Sequence, residues 1–149
     1  MYKVVGLLVV VCVGYLLFFQ DSSPDIIYFD GKEYGPGQLD YSNDSNSKIY
    51  KYFSKSVSNK DYISVLYPDS GTGSLSEWSN MFSKHFARQG FVFTENGQNK
   101  VGTNKTVKIY MMPSYNVGVV FMYILEDIKN SDHIDESQMF RRLDAIQID

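Results

Sequence analysis

Residues 74–97, SLSEWSNMFSKHFARQGFVFTENG, decide the fold because they join a capped helix to the start of a strand. Ser74 is a typical N-cap and Glu77 occupies the third helical position, so the two residues predict a capping box. Gly90 lies where a left-handed C-terminal cap belongs, which predicts a helix over residues 75–89. An apolar stripe runs along this helix with Met81 and His85 beside it; its members are Leu75, Trp78, Phe82 and Phe86.

Strand patterns flank this helix on both sides. Before it, residues 26–29 and 62–67 read as strands, and the aromatic residues of 49–57 favour a strand although their spacing also suits a helical face. After it come strands at 91–94, 107–112 and 117–125, of which the last is almost wholly apolar and predicts a central strand. Turn signals stand at Asp30-Gly31 and Asn96-Gly97, and the polar stretches 38–47 and 98–104 read as loops.

A second amphipathic pattern closes the chain. Residues 136–146 predict a helix with Met139, Phe140, Leu143 and Ile146 on one face. Strands, a helix, three more strands and a helix are typical of an α+β fold. We therefore expect a small, mostly antiparallel sheet with two helices packed on one face, preceded by a single N-terminal transmembrane helix.

The N-terminal segment predicts a membrane anchor. Residues 4–19 carry no charge, and sixteen helical residues span about 24 Å, which Met1, Tyr2 and a snorkelling Lys3 bring close to the ~30 Å hydrocarbon core. A secretory signal peptide has a similar length, but no pair of small residues follows the apolar run at the spacing that cleavage needs. These signals favour an uncleaved anchor over residues 1–20.

Charge around the anchor predicts its orientation. Lys3 precedes the apolar run, whereas Asp21 and Asp25 follow it and no basic residue comes before Lys32. The positive-inside rule then places the N-terminus in the cytoplasm and residues 21–149 outside it, in the periplasm of a bacterium with its anchor in the inner membrane. The domain boundaries expected from these patterns are an anchor at 1–20, a spacer with a short hairpin and polar loop at 21–48, and an extracytoplasmic domain at 49–149.

Composition excludes several classes of protein. With 44% hydrophobic and 15% aromatic residues among 149, the chain has the apolar side chains that a disordered protein lacks. A single cysteine, Cys12, cannot form an internal disulfide. A net charge of −3, from 14 Lys plus Arg against 17 Asp plus Glu, gives no basic footprint for nucleic acid.

No catalytic motif stands out. Gly71 and Gly73 precede a helix, but the chain lacks the further glycine or the Gly-Lys-Ser/Thr ending of a phosphate-binding loop, so these glycines are expected only to make a turn. A hydrolase could pair His85 or His133 with Ser70, Ser74 or Ser76, although no motif fixes a nucleophile and base. An enzyme or ligand-binding site near Gly71–Ser74 and His85 remains the alternative interpretation.

The sequence predicts no metal and no cofactor. Neither His-x-x-x-His nor Cys-x-x-Cys occurs, and the acidic residues near 127–136 lack the spacing of a calcium loop. Five methionines offer soft ligands for copper, but they fall on expected core faces and are better explained by packing; they are Met81, Met111, Met112, Met122 and Met139.

The remaining unusual feature is the aromatic content, 12 Tyr and 10 Phe. Tyrosine provides contact area at low entropic cost and is frequent at protein interfaces. The candidate partner-binding residues are therefore those close to the anchor: Tyr28, Tyr34, Tyr41, Tyr50 and Tyr52. They are equally compatible with a core or with the membrane surface.

Taken together, these patterns predict a membrane-anchored binding module without enzymatic activity. Its expected partners are the membrane, through residues 4–19, and other proteins of the bacterial envelope, in a complex of which it is a subunit or accessory factor. A cleaved, secreted effector or immunity-type protein is the third interpretation, distinguished from the first by its mature N-terminus.

Overall fold

A computed structural model describes residues 25–42, 47–55, 61–69, 71, 73–128 and 135–148. Helix α1 spans Leu75–Arg88 and helix α2 spans Glu136–Asp144. The strands in these ranges are β1 Ile27–Phe29, β2 Lys32–Tyr34, β3 Gln38–Ser42, β4 Lys48–Phe53, β5 Asp61–Tyr67, β6 Val92–Asn96, β7 Asn99–Thr103, β8 Lys108–Ser114, β9 Val119–Leu125 and β10 Gln147–Ile148. The protein is α+β, as its sequence predicts.

The strands form two antiparallel sheets. Seven strands make the main sheet in the order β3-β4-β5-β9-β8-β7-β6, and three make a small sheet in the order β10-β1-β2. At the centre of the main sheet, β9 pairs with β5 on one side and β8 on the other, with Phe121 opposite both Val65 and Met112. The almost wholly apolar 117–125 segment is thus the central strand that its composition predicts.

The two faces of the main sheet bury separate apolar clusters. Side chains alternate between faces along β8, so that Ile109 and Met111 lie in one cluster while Tyr110 and Met112 lie in the other. Helix α1 covers the first cluster with Trp78, whereas α2 and the small sheet cover the second. The expectation that both helices share one face is therefore wrong, because a central sheet that is apolar on both sides needs a cover on each.

Both ends of α1 have the predicted caps. Glu77 N–H donates to Ser74 Oγ at 3.1 Å, and Ser74 N–H donates to Glu77 Oε2 at 2.8 Å, which completes the capping box. At the other end Gly90 adopts a φ of +93°. The Phe91 N–H then bonds the Phe86 carbonyl at 3.2 Å, which is the Schellman arrangement.

Helix α2 also forms where its pattern predicts it. Met139, Phe140 and Leu143 are buried on its inner side, and Ile146 is buried just after it. The Phe140 ring lies edge-on against Tyr110 of β8, with ring centroids 5.9 Å apart. These contacts place α2 on the main sheet.

Residues 25–42 are part of the folded domain. Asp30 and Gly31 both have positive φ values, 52° and 73°, and turn β1 back into β2 as a tight hairpin. The expected loop at 38–47 is wrong in its first half, because β3 pairs with β4 there. The expected loop at 98–104 is also wrong, because β7 pairs with both β6 and β8.

No helix within the described ranges is long and apolar enough to cross a membrane. The expected anchor at 4–19 lies outside the described residues.

Candidate functional site

A groove of about 480 Å³ opens between α1 and the edge half of the main sheet. It arises because α1 packs on β6, β7, β8 and β9, which leaves the same face of β3, β4 and β5 largely uncovered by the helix. The side chains that line it are mostly apolar or aromatic: Asp40, Tyr41, Ile49, Lys51, Tyr62, Ser64, Met81, Phe82, His85, Phe86, Met122 and Ile124.

The sheet wall of the groove carries one ion pair. Lys51 Nζ on β4 lies 3.3 Å from Asp40 Oδ1 on β3, and 5.2 Å from the centroid of the Tyr62 ring on β5. Burial, with the nearby carboxylates of Glu126 and Asp40, raises the pKa of Tyr62. The phenol therefore stays neutral at physiological pH, and the two charged groups of this wall neutralise each other.

The helix wall is formed by one side of α1. Phe82 stacks on the buried Trp78 ring at a centroid distance of 6.1 Å, and Phe86 packs edge-on against Phe91 at 5.6 Å. His85 lies beside Phe86, and its Nε2 is 3.1 Å from the Gln89 side-chain amide nitrogen. The predicted apolar stripe thus lies on the sheet, while His85 lies on the groove side of the stripe.

The rim of the groove exposes large apolar side chains. Tyr41 and Met81 are each 49% exposed on opposite walls. Phe53 is 44% exposed and extends the sheet wall, its ring centroid lying 5.4 Å from that of Tyr62. Exposed apolar surface of this kind, bordered by polar groups, is typical of interaction sites. Of the surfaces that the structure describes, we take this groove as the candidate site.

The five tyrosines selected from the sequence separate into two groups. Tyr34, Tyr50 and Tyr52 are buried in the cluster between the main sheet and the small sheet. Tyr28 and Tyr41 are exposed, at 36% and 49%. A partner-binding role in this fold thus concerns only these two, and of them only Tyr41 lines the groove.

The alternative site near Gly71–Ser74 and His85 is not assembled as one place. Ser74 caps the first turn of α1 and His85 lies eleven residues later, about 16 Å along the helix axis. The Glu77 carboxylate already accepts the Ser74 N–H, where a bound anion would need that donor. Ser70 and His133 lie outside the described residues.

The five methionines lie on both faces of the main sheet. Met111 and Met122 are buried on the α1 face and Met112 and Met139 on the opposite face, which supports a packing role; Met81 alone among the five is exposed. In the part of the chain that the structure describes, no three His, Cys, Asp or Glu side chains are grouped as metal ligands.

A buried polar cluster on the other face was not foreseen. Asp61, 8% exposed at the start of β5, accepts hydrogen bonds at Oδ2 from Tyr34 at 2.9 Å and from Tyr123 at 2.5 Å. Burial and this carboxylate raise the pKa of both tyrosines. These hydrogen bonds join the small sheet to β5 and β9. In the sequence, Asp61 is the last residue of an expected turn, so no local signal indicates that it is buried.

Comparisons of the chain with protein-family models, with curated proteins and with solved structures find no match in any of the three.

Proposed function

We propose that this protein is a single-pass, membrane-anchored binding module, a subunit or accessory factor of a bacterial envelope complex. Residues 4–19 anchor it in the inner membrane, and the α+β domain lies in the periplasm. The groove between α1 and the β3–β5 half of the sheet binds an apolar segment of another envelope protein. The observation that carries this proposal is the exposed apolar rim formed by Tyr41, Phe53 and Met81.

The chemistry of the groove favours binding over catalysis. Its charged pair, Asp40 and Lys51, is internally neutralised, and His85 has an amide neighbour in Gln89 and an aromatic one in Phe86. A general base must lie within hydrogen-bond reach of the group it activates. Apolar and aromatic side chains with few polar groups instead match the centre of a protein–protein interface.

The experiment that tests the proposal uses the tagged full chain in its native membranes. Gentle solubilisation, affinity capture and mass spectrometry of the eluate should return a stoichiometric envelope partner. The same chain without residues 1–20 should fold, as judged by circular dichroism, and should capture less of that partner. Capture of the tagged chain alone as a monomer would contradict the binding proposal.

The mass of the intact, membrane-derived chain separates anchoring from secretion. A chain that retains Met1 supports the anchor. A mature N-terminus near Ser22 or Ser23 would support the cleaved, secreted interpretation and refute the anchor. This measurement does not depend on finding a partner.

A small-molecule site is the second candidate function, because the groove volume of about 480 Å³ lies within the range of ligand pockets. His85 and Tyr62 supply polar groups next to apolar walls. Screening small amphipathic compounds by thermal shift tests this alternative. A compound that stabilises the wild-type protein but not a folded His85→Ala variant would support it.

A further inference from the structure

The chain enters the folded domain on the side opposite the groove. The first described strand, β1, begins at Ile27 and pairs with the last, β10, through Ile27 and Ile148. This small sheet packs on the main-sheet face that lies away from α1. Six residues, 21–26, separate the proposed anchor from β1, a length that reaches at most about 22 Å. The small sheet is therefore the part of the domain tied most closely to the anchor.

The small sheet has a polar outer face. Ile27, Phe29 and Tyr34 point towards the main sheet and are buried in its cluster. Tyr28 alternates with them, is 36% exposed and is paired with Glu33 on one side and Gln147 on the other. Residues directly paired across antiparallel strands share a face. We call Tyr28, Glu33 and Gln147 the outer face.

The Lys55 ammonium lies beside the outer face. Lys55, beyond the end of β4, donates a hydrogen bond to the Glu33 carboxylate, which raises the Lys55 pKa and keeps its ammonium charged. Exposed tyrosine with neighbouring charged groups matches the chemistry of the lipid headgroup region, where amphipathic rings concentrate. The three residues of the outer face are amphipathic or polar, which suits contact with headgroups.

We infer that the outer face of the small sheet lies against the headgroups of the membrane that holds the anchor, so that the groove faces away from the bilayer. The inference rests on the proposed anchoring and adds a fixed orientation to it. Two packed sheets are about 10 Å apart, and a helix adds about 10 Å more. Met81 in the groove should therefore lie about 20 Å farther from the bilayer than Tyr28.

Fluorescence quenching in proteoliposomes tests this orientation. On a Cys12→Ala background, single cysteines replace Tyr28 or Gln147 on the outer face and Met81 in the groove, and each carries the same small fluorophore. The vesicles contain a headgroup spin-labelled phospholipid as quencher. We expect several-fold stronger quenching at 28 and 147 than at 81. Tyr115→Cys, in the exposed turn after β8, is a control for the general accessibility of a labelled surface residue.

Flotation of the same vesicles tests the membrane anchor separately from the orientation of the domain. If the labelled chain floats with lipid and resists alkaline extraction but is quenched equally at 28, 147 and 81, the orientation is wrong and the anchor stands. Stronger quenching at 81 than at 28 also overturns the orientation. If the chain does not float at all, the anchoring proposal fails first. Gln147→Cys replaces Tyr28→Cys as the test position if that variant does not fold.

Discussion

The Lys51 ammonium lies 5.2 Å from the centroid of the Tyr62 ring and 3.3 Å from a carboxylate oxygen of Asp40. These three residues come from β4, β5 and β3, so the pairing joins the three strands on the side that α1 leaves open. Because the only ion pair in the groove wall is satisfied internally, the surface left for a partner is mainly apolar among the described residues. This relationship is one reason why we propose the groove as a surface for protein contact.

Substitution of Lys51 should leave the fold nearly intact. The side chains of Lys51 and Asp40 are about one-third and two-fifths exposed, and exposed ion pairs and cation–π contacts each contribute about 1 kcal/mol or less. We expect Lys51→Met to lower the free energy of unfolding by no more than about 1 kcal/mol in urea denaturation. A loss several times larger would mean that this wall supports the sheet and is not free for binding.

The buried hydrogen bond from Tyr123 to Asp61 should contribute more to the stability of the domain than the hydrogen bond between Tyr52 and Tyr67. Tyr123 donates to a carboxylate, and such bonds contribute about 1.5–3 kcal/mol, against about 0.5–1.5 kcal/mol for a neutral bond. The neutral comparison is Tyr67, whose hydroxyl lies 2.8 Å from that of Tyr52. We expect Tyr123→Phe to destabilise the domain more than Tyr67→Phe in matched urea titrations. The reverse order would contradict the role given to Asp61.

Stability should fall in alkali. Burial, reinforced by hydrogen bonds, raises the pKa of Tyr34, Tyr67 and Tyr123 in the folded domain above the ordinary value near 10. The folded protein then retains protons that the unfolded chain loses, so the stabilisation is complete below about pH 10 and declines as the pH rises further. Urea unfolding followed between about pH 8 and pH 11 measures this decline.

Replacing Tyr123 by Phe provides the control for that pH dependence. The variant removes one of the tyrosines with a raised pKa, so its free energy of unfolding should fall less steeply above about pH 10 than that of the wild type. Tyr115→Phe, which changes an exposed ring, should leave the slope as it is. Equal slopes in the wild type and Tyr123→Phe would show that other groups govern alkaline unfolding.

The capping box should contribute measurably to the stability of α1. Ser74→Ala removes the acceptor of the Glu77 N–H and should cost about 1 kcal/mol, within a range of about 0.5–2 kcal/mol. Ser83→Ala is the matched control, because Ser83 lies inside α1 and its hydroxyl donates only to the Asn80 carbonyl of its own helix. Since alanine favours helix interiors, Ser83→Ala should be neutral or slightly stabilising. Thermal and urea unfolding compare the two variants.

Local sequence signals predicted the elements that contain their own caps and periodicity. Helix α1 could be placed from Ser74, Glu77 and Gly90 because all three lie within the helix or within two residues of its ends. β9 could be predicted from its continuous apolar run. Each of these signals depends on neighbours in sequence, so no knowledge of tertiary contacts was needed.

The missed strands lack such signals. β3 has the sequence Gln-Leu-Asp-Tyr-Ser, in which Leu39 packs on the core, and a register shift between Leu39 and Tyr41 breaks its alternation. β7 holds Gly102, which has no side chain to pack and is covered by the Phe93 ring. Pairing with neighbouring strands, and not the residues themselves, makes these segments strands.

The placement of one helix on each face of the main sheet could be predicted in part from the sequence. Buried residues run without interruption from Ile109 to Ser114 and from Val119 to Ile124, and such runs imply cover on both faces of a sheet. That signal argues against two helices on one face. The groove itself was beyond sequence reasoning, because Tyr41 and Met81 are forty residues apart in sequence and line the same groove only through the tertiary fold.

The most direct test of the central claim is partner capture by groove variants of the full-length, tagged protein from native membranes. Tyr41→Ala and Met81→Ser alter the two walls of the groove at half-exposed positions, so their melting temperatures should stay close to that of the wild type. Tyr115→Ala is the matched control, since Tyr115 is 59% exposed and lies away from the groove. We predict that both groove variants lose most of the captured envelope protein while Tyr115→Ala retains it. Equal capture by all three folded variants would contradict the claim that this groove is the binding site.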